Sequence, residues 1–359
     1  MCSSCPTIDA PAAAPFAERL TGILNGGALS LMISVGHRTG LFDTLAGRAP
    51  TNSADLAAAA GLNERYVREW LGAMTAGGIV HSAVGSGLFA LPDEHAAFLT
   101  RAATPGNMAV PAQFLPMLAR VEDPIVDCFR DGGGLPYEAF PRFHEIMAEE
   151  SEQTVVSVLL SHVIPLVPGL ADALRAGREV ADVGCGSGLA LMQLATSFPA
   201  SRFTGYDASQ EAIARARESA QRRGLSNVRF VVQDAATLVD EQRFDLVTAF
   251  DAVHDQVDPA AMLSGIRRAL KPDGLFLMQD IEGHSDPARN TEHPLGPFLY
   301  TISCMHCMTV SLAKGGAGLG AMWGVDTAEA MLRDAGFVDQ HVHRLEHDAM
   351  NAWTVARVS

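Results

Sequence analysis

The sequence is short of positive charge, of cysteine and of long apolar runs. Its 359 residues carry 26 Lys and Arg against 41 Asp and Glu, which gives a formal net charge of −15. An acidic chain is repelled by nucleic-acid phosphates and by anionic membrane surfaces, so we expect neither as a partner. Six cysteines are too few for a disulfide framework in a chain of this length.

Targeting and membrane signals are also missing. No apolar run reaches the ~18 residues of a membrane span, and the first residues lack the basic start and apolar core of a signal peptide. We therefore expect a cytoplasmic protein with reduced thiols. Apolar residues make up 48% and charged residues 19%, which excludes a largely disordered chain. Residues 1 to about 15 are small and rich in Pro and Ala, and we expect them to be frayed.

The first part of the chain has the pattern of a helical domain. Residues 16–39 place apolar side chains at helical spacing. Residues 51–55 and Asn63 offer caps for two further helices joined by a short turn. Two apolar runs, 79–81 and 88–91, follow with glycines between them. Helix, turn, helix and hairpin together predict a winged helix.

The later part alternates strands with stretches long enough to be helices. The predicted strands cover residues 179–183, 202–206, 228–232, 244–250 and 275–278, and residues 336–343 and 353–358 could add two more. This alternation predicts an α/β domain with a parallel sheet. We place the domain boundary near residue 170, with a helical domain over 1–170 and the α/β domain over 171–359.

A glycine-rich turn follows the first of these strands. Asp182 and Val183 lead into Gly184, Gly186 and Gly188. Glycines let the chain turn sharply and let a ligand approach the backbone, and a helix N-terminus favours electron-rich groups. The spacing differs from both dinucleotide and phosphate-loop patterns. A tight turn without a ligand is the simpler alternative.

Carboxylates follow the next strands of the predicted sheet. Asp207 ends the second strand, Asp234 and Ala235 follow the third, and Asp251 follows the fourth. Open α/β sheets bind ligands at the carboxyl ends of their strands, where a carboxylate can accept hydrogen bonds from ribose hydroxyls or from an exocyclic amine. For Asp234, a helix cap is the alternative role.

This half resembles the class I S-adenosylmethionine-dependent methyltransferases. The resemblance is carried by residues 182–188, Asp207, residues 233–235 and the Leu-Lys-Pro-Asp-Gly stretch at 270–274. It implies a Rossmann-like sheet of seven strands with an antiparallel final hairpin. It also implies S-adenosylmethionine as the cofactor, with its methionine part at the glycines, its ribose at Asp207 and its adenine at Asp234 and Ala235.

The predicted catalytic pair is His254 with Asp255, directly after the fourth strand. Imidazole titrates near neutral pH, so His254 could serve as a general base that Asp255 orients; a loop histidine that only packs or caps is the alternative. A winged helix before such a domain, with His-Asp after the fourth strand, is similar to small-molecule O-methyltransferases, in which the His is the base and the winged helix forms a homodimer. That family continues with Trp, where this chain has Gln256.

Residues 282–324 form the predicted substrate-binding insertion. The candidate substrate-binding residues are Tyr300, Cys304, His306, Cys307 and Trp323. The stretch resembles a bacterial winged-helix methyltransferase group whose relatives methylate small thiols. Soft Met and Cys side chains would suit a small sulfur acceptor such as hydrogen sulfide or methanethiol, and we expect a thiol acceptor, with a hydroxyl acceptor as the close rival. Cys304 and Cys307 could bind a metal or arsenic, but zinc needs four ligands, so we predict no metal.

A ligand-responsive transcription regulator is the rival of another class. A recognition helix should be basic. The candidate helix, residues 64–76, carries two Arg and two Glu and is neutral. This balance favours a dimerisation role for the winged helix.

Overall fold

The computed structural model describes residues 10–358, which divide into two compact units between Pro116 and Met117. The division therefore differs from the predicted boundary near residue 170. The reason is packing: Val158 and Val163 belong to the same buried core as Val180 of the first strand. The connecting helices between the predicted domains thus fold with the second unit.

The first unit is helical. Its helices are α1 (Ala10–Thr39), α2 (Leu41–Leu45), α3 (Ser53–Ala60), α4 (Glu64–Ala76) and α5 (Asp93–Ala96), with 3₁₀ turns at Arg101–Ala103 and Pro111–Gln113. α1 begins before the predicted residue 16, so residues 10–15 are helical rather than frayed. Residues 1–9, including Cys2 and Cys5, lie outside the described residues.

Local capping explains the helix-turn-helix. The Asn52 side chain accepts a hydrogen bond from the Asp55 amide, and Asn63 accepts one from the Arg65 amide, as predicted. The predicted hairpin is reduced to short antiparallel bridges, one of which joins His81 to Ala90. Trp70 lies in the core of this unit. The fold prediction of a winged helix is confirmed.

The second unit joins further helices to a sheet. Its helices are α7 (Glu122–Asp131), α8 (Phe143–Thr154), α9 (Leu170–Ala176), α10 (Leu189–Ser197), α11 (Gln210–Arg222), α12 (Pro259–Ala269), α13 (Gly296–Ile302), α14 (Met308–Leu312) and α15 (Val325–Asp334), and α6 (Phe114–Leu118) lies at the division. Shorter 3₁₀ segments are Ala119–Val121, Tyr137–Ala139, Val156–Val158, Ile164–Leu166, Ala235–Thr237 and Pro287–Asn290, and π-helical segments are Leu159–Val163 and Ser303–Cys307.

Within the described residues the strands form one seven-stranded sheet. They are β1 (Glu179–Val183), β2 (Arg202–Asp207), β3 (Val228–Val232), β4 (Phe244–Phe250), β5 (Leu270–Ile281), β6 (Val338–His343) and β7 (Asn351–Arg357). The order is β3-β2-β1-β4-β5-β7-β6, and β7 runs antiparallel to β5 and β6. The predicted α/β class and the antiparallel final hairpin are confirmed.

The sheet order places a crevice between β1 and β4. The chain passes outward from β1 to β3 and then returns to β4 on the other side of β1. Loops that leave neighbouring strands in opposite directions open a binding crevice at their carboxyl ends. The glycine turn and the loop that carries His254 both begin at this point.

Among residues 10–358 no single helix is both long and apolar enough to cross a membrane. One bent pair, residues 143–166 with α9, meets the criterion by length and composition alone.

Candidate active site

The glycine turn between β1 and α10 is tightly constrained. Gly184, Gly186 and Gly188 have φ values of 79°, 51° and 72°, a region that L side chains rarely adopt. A Cβ on Gly184 would come within 2.4 Å of Cβ of Ala252, and one on Gly188 within 2.3 Å of the Phe230 ring. Nothing lies within 4 Å of the Cβ position of Gly186. The turn therefore leaves room for a ligand against its backbone.

Asp207 connects the end of β2 to this turn. Its Oδ2 accepts a hydrogen bond from the Gly186 amide at 2.8 Å, and its Oδ1 accepts one from the Ser209 amide at 2.8 Å. Two amide donors hold the carboxylate in one orientation beside the glycines. Lone pairs remain on both oxygens, as a ribose diol would require.

Asp182 and Asp234 have structural roles in this arrangement. Asp182 is buried inside β1 and accepts a hydrogen bond from the Thr248 hydroxyl at 2.8 Å. Burial raises its pKa to about 7, although the Thr248 hydrogen bond opposes the shift. Asp234 caps the 3₁₀ turn that includes Ala235, accepting from the Ala236 amide at 2.9 Å.

His254 lies buried after β4, with 3% of its surface exposed. Its Nδ1 is 2.7 Å from Oδ1 of Asp280, at the end of β5. The same carboxylate oxygen accepts a hydrogen bond from Nε1 of Trp323 at 3.0 Å. Burial lowers the pKa of His254. The Asp280 carboxylate, followed by Cys307, raises it by more than burial lowers it, so the pKa lies well above its usual value.

The predicted pairing of His254 with Asp255 is corrected by this geometry. Asp255 instead accepts a hydrogen bond from the Tyr137 hydroxyl at Oδ2 and one from the Gln256 side-chain amide at 3.2 Å. Adjacent side chains on this turn point to different neighbours, so the residue next to His254 cannot also orient its ring. Asp280 takes that role.

Asp251 lies between the glycine turn and His254. Its φ of 54° is unusual for a residue other than glycine, and its Oδ1 is 3.8 Å from Nδ1 of His254. Burial raises the pKa of Asp251 to about 6, although the neighbouring His254 opposes the rise. Ligand atoms of Asp251, His254 and Asp280 lie within 4.8 Å of one another. Because Nδ1 of His254 is already bonded to Asp280, we interpret His254 and Asp280 as a hydrogen-bonded pair, with Asp251 beside it, rather than as a metal centre.

The predicted substrate segment reaches this site through a π-helical turn. Ser303–Cys307 is π-helical, a conformation that often occurs at functional sites. Burial raises the pKa of the Cys307 thiol, and the nearby His254 opposes the rise. The turn therefore brings one of the five predicted substrate residues near His254, and Trp323 reaches the same centre through Asp280.

His306 is enclosed by aromatic rings. It is fully buried, stacks on Phe143 with ring centres 3.7 Å apart, and meets Phe140 edge-on at 4.6 Å. Neither ring nitrogen has a hydrogen-bond partner among the described residues. Burial, and then the charge of His254, lower its pKa to about 3, so the ring is neutral at physiological pH.

No hydrogen bond of the Tyr300 or Cys304 side chain among residues 10–358 leads to this centre. The Tyr300 hydroxyl accepts a hydrogen bond from the Asn290 side chain at 2.9 Å. Cys304 is partly exposed, and Cys304 and Cys307 are both free thiols. Their place in the substrate site remains a prediction.

Sequence reasoning missed two residues of the centre: Asp280 and Tyr137. Asp280 follows the rule already used for the other strands, since it lies near the carboxyl end of β5. Tyr137 comes from the segment before β1, where broken helices give no periodic signal.

Comparison with known families assigns a domain to each half. Residues 27–101 match the Rv2258c-like winged HTH domain, and residues 174–336 match a methyltransferase domain. The ubiquinone biosynthesis O-methyltransferase of Coxiella burnetii is 34% identical over 140 residues, which is 39% of this chain and 54% of that protein. The chain thus aligns with about half the length of such curated relatives. The 27-O-demethylrifamycin SV methyltransferase of Amycolatopsis mediterranei is 25% identical over 51% of this chain and 62% of its own.

Solved structures share the whole architecture. Mitomycin 7-O-methyltransferase has a TM-score of 0.68 at 20% identity, covering 97% of this chain and 99% of its own. Human N-acetylserotonin methyltransferase, solved with S-adenosylmethionine, has a TM-score of 0.67 at 19% identity, covering 99% of both chains. At these identities the likeness concerns the fold.

Proposed function

Because the chain joins a winged-helix domain to a class I methyltransferase domain, we propose that it transfers a methyl group from S-adenosylmethionine to a hydroxyl group of a small molecule. The observation that carries the proposal is the hydrogen bond between Nδ1 of His254 and Asp280, on the loop that faces the glycine turn. A buried imidazole held in one tautomer by a carboxylate is suited to general base catalysis.

The residues present fit the cofactor. The open space over Gly186 can accept its methionine part, Asp207 the ribose diol, and the turn at Asp234 and Ala235 the adenine. When bound, the cofactor supplies a methyl group already activated by a sulfonium, so that the protein contributes mainly positioning and proton removal.

His254 removes the proton of the acceptor. With Nδ1 bonded to Asp280, the Nε2 atom is the one that takes the proton from the acceptor hydroxyl. The Asp280 carboxylate then stabilises the resulting imidazolium. The Trp323 indole and the Ile281 amide, which both donate to Asp280, keep that carboxylate in place.

A hydroxyl acceptor is favoured over the predicted small thiol. Several relatives and structural neighbours are O-methyltransferases by name, and no comparison supports a thiol acceptor. A thiol is already partly ionised near neutral pH and has less need of a base. The hydrogen bond between His254 and Asp280 suits His254 to act as a base, which a hydroxyl acceptor needs. Incubation of the enzyme with labelled S-adenosylmethionine and a panel of phenols, alcohols, thiols and amines tests this choice; products methylated on sulfur alone would contradict it.

We also infer a homodimer formed through α1. Residues 13–28 of this helix are exposed, and apolar side chains are among them: Phe16 is 60% exposed, Ile23 60% and Leu24 75%. Exposed apolar patches of this kind mark interaction sites. In this proposal the winged helix forms the dimer and does not bind DNA. The two arginines of α4 support this, because Arg65 pairs with Glu69 and Arg68 with Glu64, so that their charges are neutralised.

A cytoplasmic location agrees with the free thiols of Cys128, Cys185, Cys304 and Cys307.

A further inference from the structure

The proposed base is closed off from solvent. His254 is 3% exposed, its partner Asp280 is 4% exposed, and His306 of the π-helical turn is fully buried. General base catalysis requires the acceptor oxygen to come within hydrogen-bond distance of the imidazole. An acceptor molecule can therefore reach Nε2 of His254 only when part of this cover moves.

One part of the cover is the strap, which we define as residues 134–141, between α7 and α8. The Tyr137 hydroxyl donates a hydrogen bond to Oδ2 of Asp255, the residue next to the base. The Tyr137 ring meets the His306 ring edge-on, with ring centres 5.3 Å apart, and the Phe140 ring does so at 4.6 Å. The strap thus contacts both the loop that carries the base and the π-helical turn.

Both ends of the strap have backbone conformations that suit hinges. Gly132 and Gly133 precede the strap with φ values of 75° and 82°, and nothing lies within 4 Å of their Cβ positions. Arg142 follows the strap with a φ of 68°, as the N-cap residue of α8. Hinges consist of a few residues at the ends of elements that absorb changes in φ and ψ. The strap can therefore move as a unit between two helices.

Few hydrogen bonds hold the strap closed. Among residues 10–358, two of them join it to the loop after β4 and to α14. One is the hydrogen bond from Tyr137 to Asp255, and the other runs from the Leu135 amide to the Thr309 hydroxyl at 2.9 Å. Regular structure within the strap is limited to the 3₁₀ turn Tyr137–Ala139. Segments held by so few bonds open locally at a lower free-energy cost than global unfolding.

His306 disfavours the closed arrangement and so keeps closure reversible. Neither nitrogen of its buried ring has a hydrogen-bond partner among the described residues. A buried polar group without a partner costs free energy, and this cost disappears when water reaches the group. Opening removes the rings of Tyr137 and Phe140 from His306 and lets water reach its nitrogens. This gain partly offsets the loss of the two hydrogen bonds.

We propose that the strap opens about Gly132 and Gly133 to admit the acceptor to His254, and closes again before the methyl group is transferred. The inference rests on the proposed function, in which His254 is the base. The hydrogen bond from Tyr137 to Asp255 is the latch, because it joins the strap to the residue next to the base. Closure excludes water from the site, which strengthens the electrostatic interactions within it.

Carbethoxylation of His306 by diethyl pyrocarbonate at pH 7.5, followed by mass spectrometry of the peptides, measures the opening. The reagent modifies neutral imidazole, and His306 can react only when the rings of the strap no longer cover it. For the wild type we expect a slow modification whose rate depends only weakly on urea below the unfolding transition, because a local opening exposes little surface. A rate that rises with urea as steeply as global unfolding would overturn the inference.

Variants of the two hydrogen bonds test the latch. Tyr137→Phe removes the hydroxyl and keeps the ring, so His306 should be modified about fivefold faster, the factor expected for one hydrogen bond. Thr309→Val removes the other hydrogen bond and should act in the same direction. Tyr206→Phe is the matched control, because its hydroxyl also donates to a carboxylate, that of Asp240 at 2.8 Å, in the same unit but outside the strap. Equal rates in Tyr137→Phe and the wild type, or an equal increase in Tyr206→Phe, would contradict the inference.

The proposed function can fail separately. Carbethoxylation requires neither the cofactor nor methyl transfer, so it reports the opening by itself. A wild type that opens as expected but transfers no methyl group to any hydroxyl acceptor would refute the proposed function, and with it the role of the strap in acceptor entry, while the opening itself would stand.

Discussion

Nδ1 of His254 and Oδ1 of Asp280 lie 2.7 Å apart, although 26 residues separate them in the sequence. β4 and β5 are parallel neighbours, so the loop after one strand and the end of the other meet at the same edge of the sheet. The contact is therefore a consequence of the strand order. It engages Nδ1 and leaves Nε2 as the nitrogen for the proposed proton transfer.

This contact predicts the pH dependence of the reaction. The Asp280 carboxylate raises the pKa of His254, so the neutral form is populated only as the pH rises, and kcat/KM should keep increasing with pH above the range in which imidazole usually titrates. Asp280→Asn removes the negative charge, which lowers the pKa of His254. The rising limb of the pH–rate profile should therefore move to lower pH in this variant, with a reduced plateau. A limb that stays in place would show that Asp280 does not set the ionisation of the base.

The hydrogen bond from Tyr137 to Asp255 predicts a positioning role. Tyr137 also meets the rings of His306 and His144, and its segment is tied to α14 by the Leu135 amide, which donates to the Thr309 hydroxyl at 2.9 Å. Tyr137→Phe keeps the ring and removes the hydroxyl. The loss of one hydrogen bond costs about 1 kcal/mol. We therefore expect KM for the acceptor to rise several-fold, with little change in kcat. Tyr66→Phe, at a ring 80% exposed in the first unit, is the control.

Glu150 should make stability depend on pH. Its pKa is raised from 4.5 to about 8 in the folded chain, so the folded state binds more protons than the unfolded state between these values. The free energy of unfolding must then fall as the pH rises from about 5 to 8. Glu150→Gln removes the share of this slope that Glu150 contributes, while Asp182 and Asp251, whose pKa values are also raised, keep theirs. The variant should be the more stable protein at pH 8, by a few kcal/mol at most, since one pKa unit corresponds to about 1.4 kcal/mol. Urea unfolding at pH 5 and pH 8 checks this; equal slopes in both proteins would be incompatible with a protonated Glu150.

The exposed apolar side of α1 should determine assembly. Replacing Leu20 and Leu24 together by Glu places two charges among exposed apolar side chains and should convert a dimer into a monomer in light scattering after size exclusion. Asn25→Glu, at an exposed polar position of the same helix, should leave the dimer intact. A wild type that is monomeric at high concentration would contradict the inferred homodimer.

The sequence predicted those features that depend on local pattern. The strands β1, β3 and β4 begin and end where alternation and apolar runs placed them, and Asn52 and Asn63 cap the expected helices. The cofactor turn was predictable for the same reason, since its glycines act through the backbone.

The centre around His254 depended on tertiary contacts. Asp255 was the expected partner because it is adjacent in sequence, but the ring turns toward Asp280 on the neighbouring strand. Tyr137 reaches Asp255 from a segment predicted to belong to the other domain. Trp323, which the sequence predicts as a substrate-binding residue, donates to Asp280, a contact that its position in the sequence does not reveal. Side-chain direction on loops follows packing, which no local spacing encodes.

The most direct test of the account is the single-turnover rate of methyl transfer to an accepted hydroxyl substrate in wild type and His254→Ala. At saturating S-adenosylmethionine, we predict that the rate falls by about 10²–10⁴-fold, the range expected for loss of a general base. The calorimetric Kd for S-adenosylmethionine should change by no more than a few-fold, because His254 acts on the acceptor. A rate in His254→Ala within a few-fold of the wild type would contradict the assignment of His254 as the base.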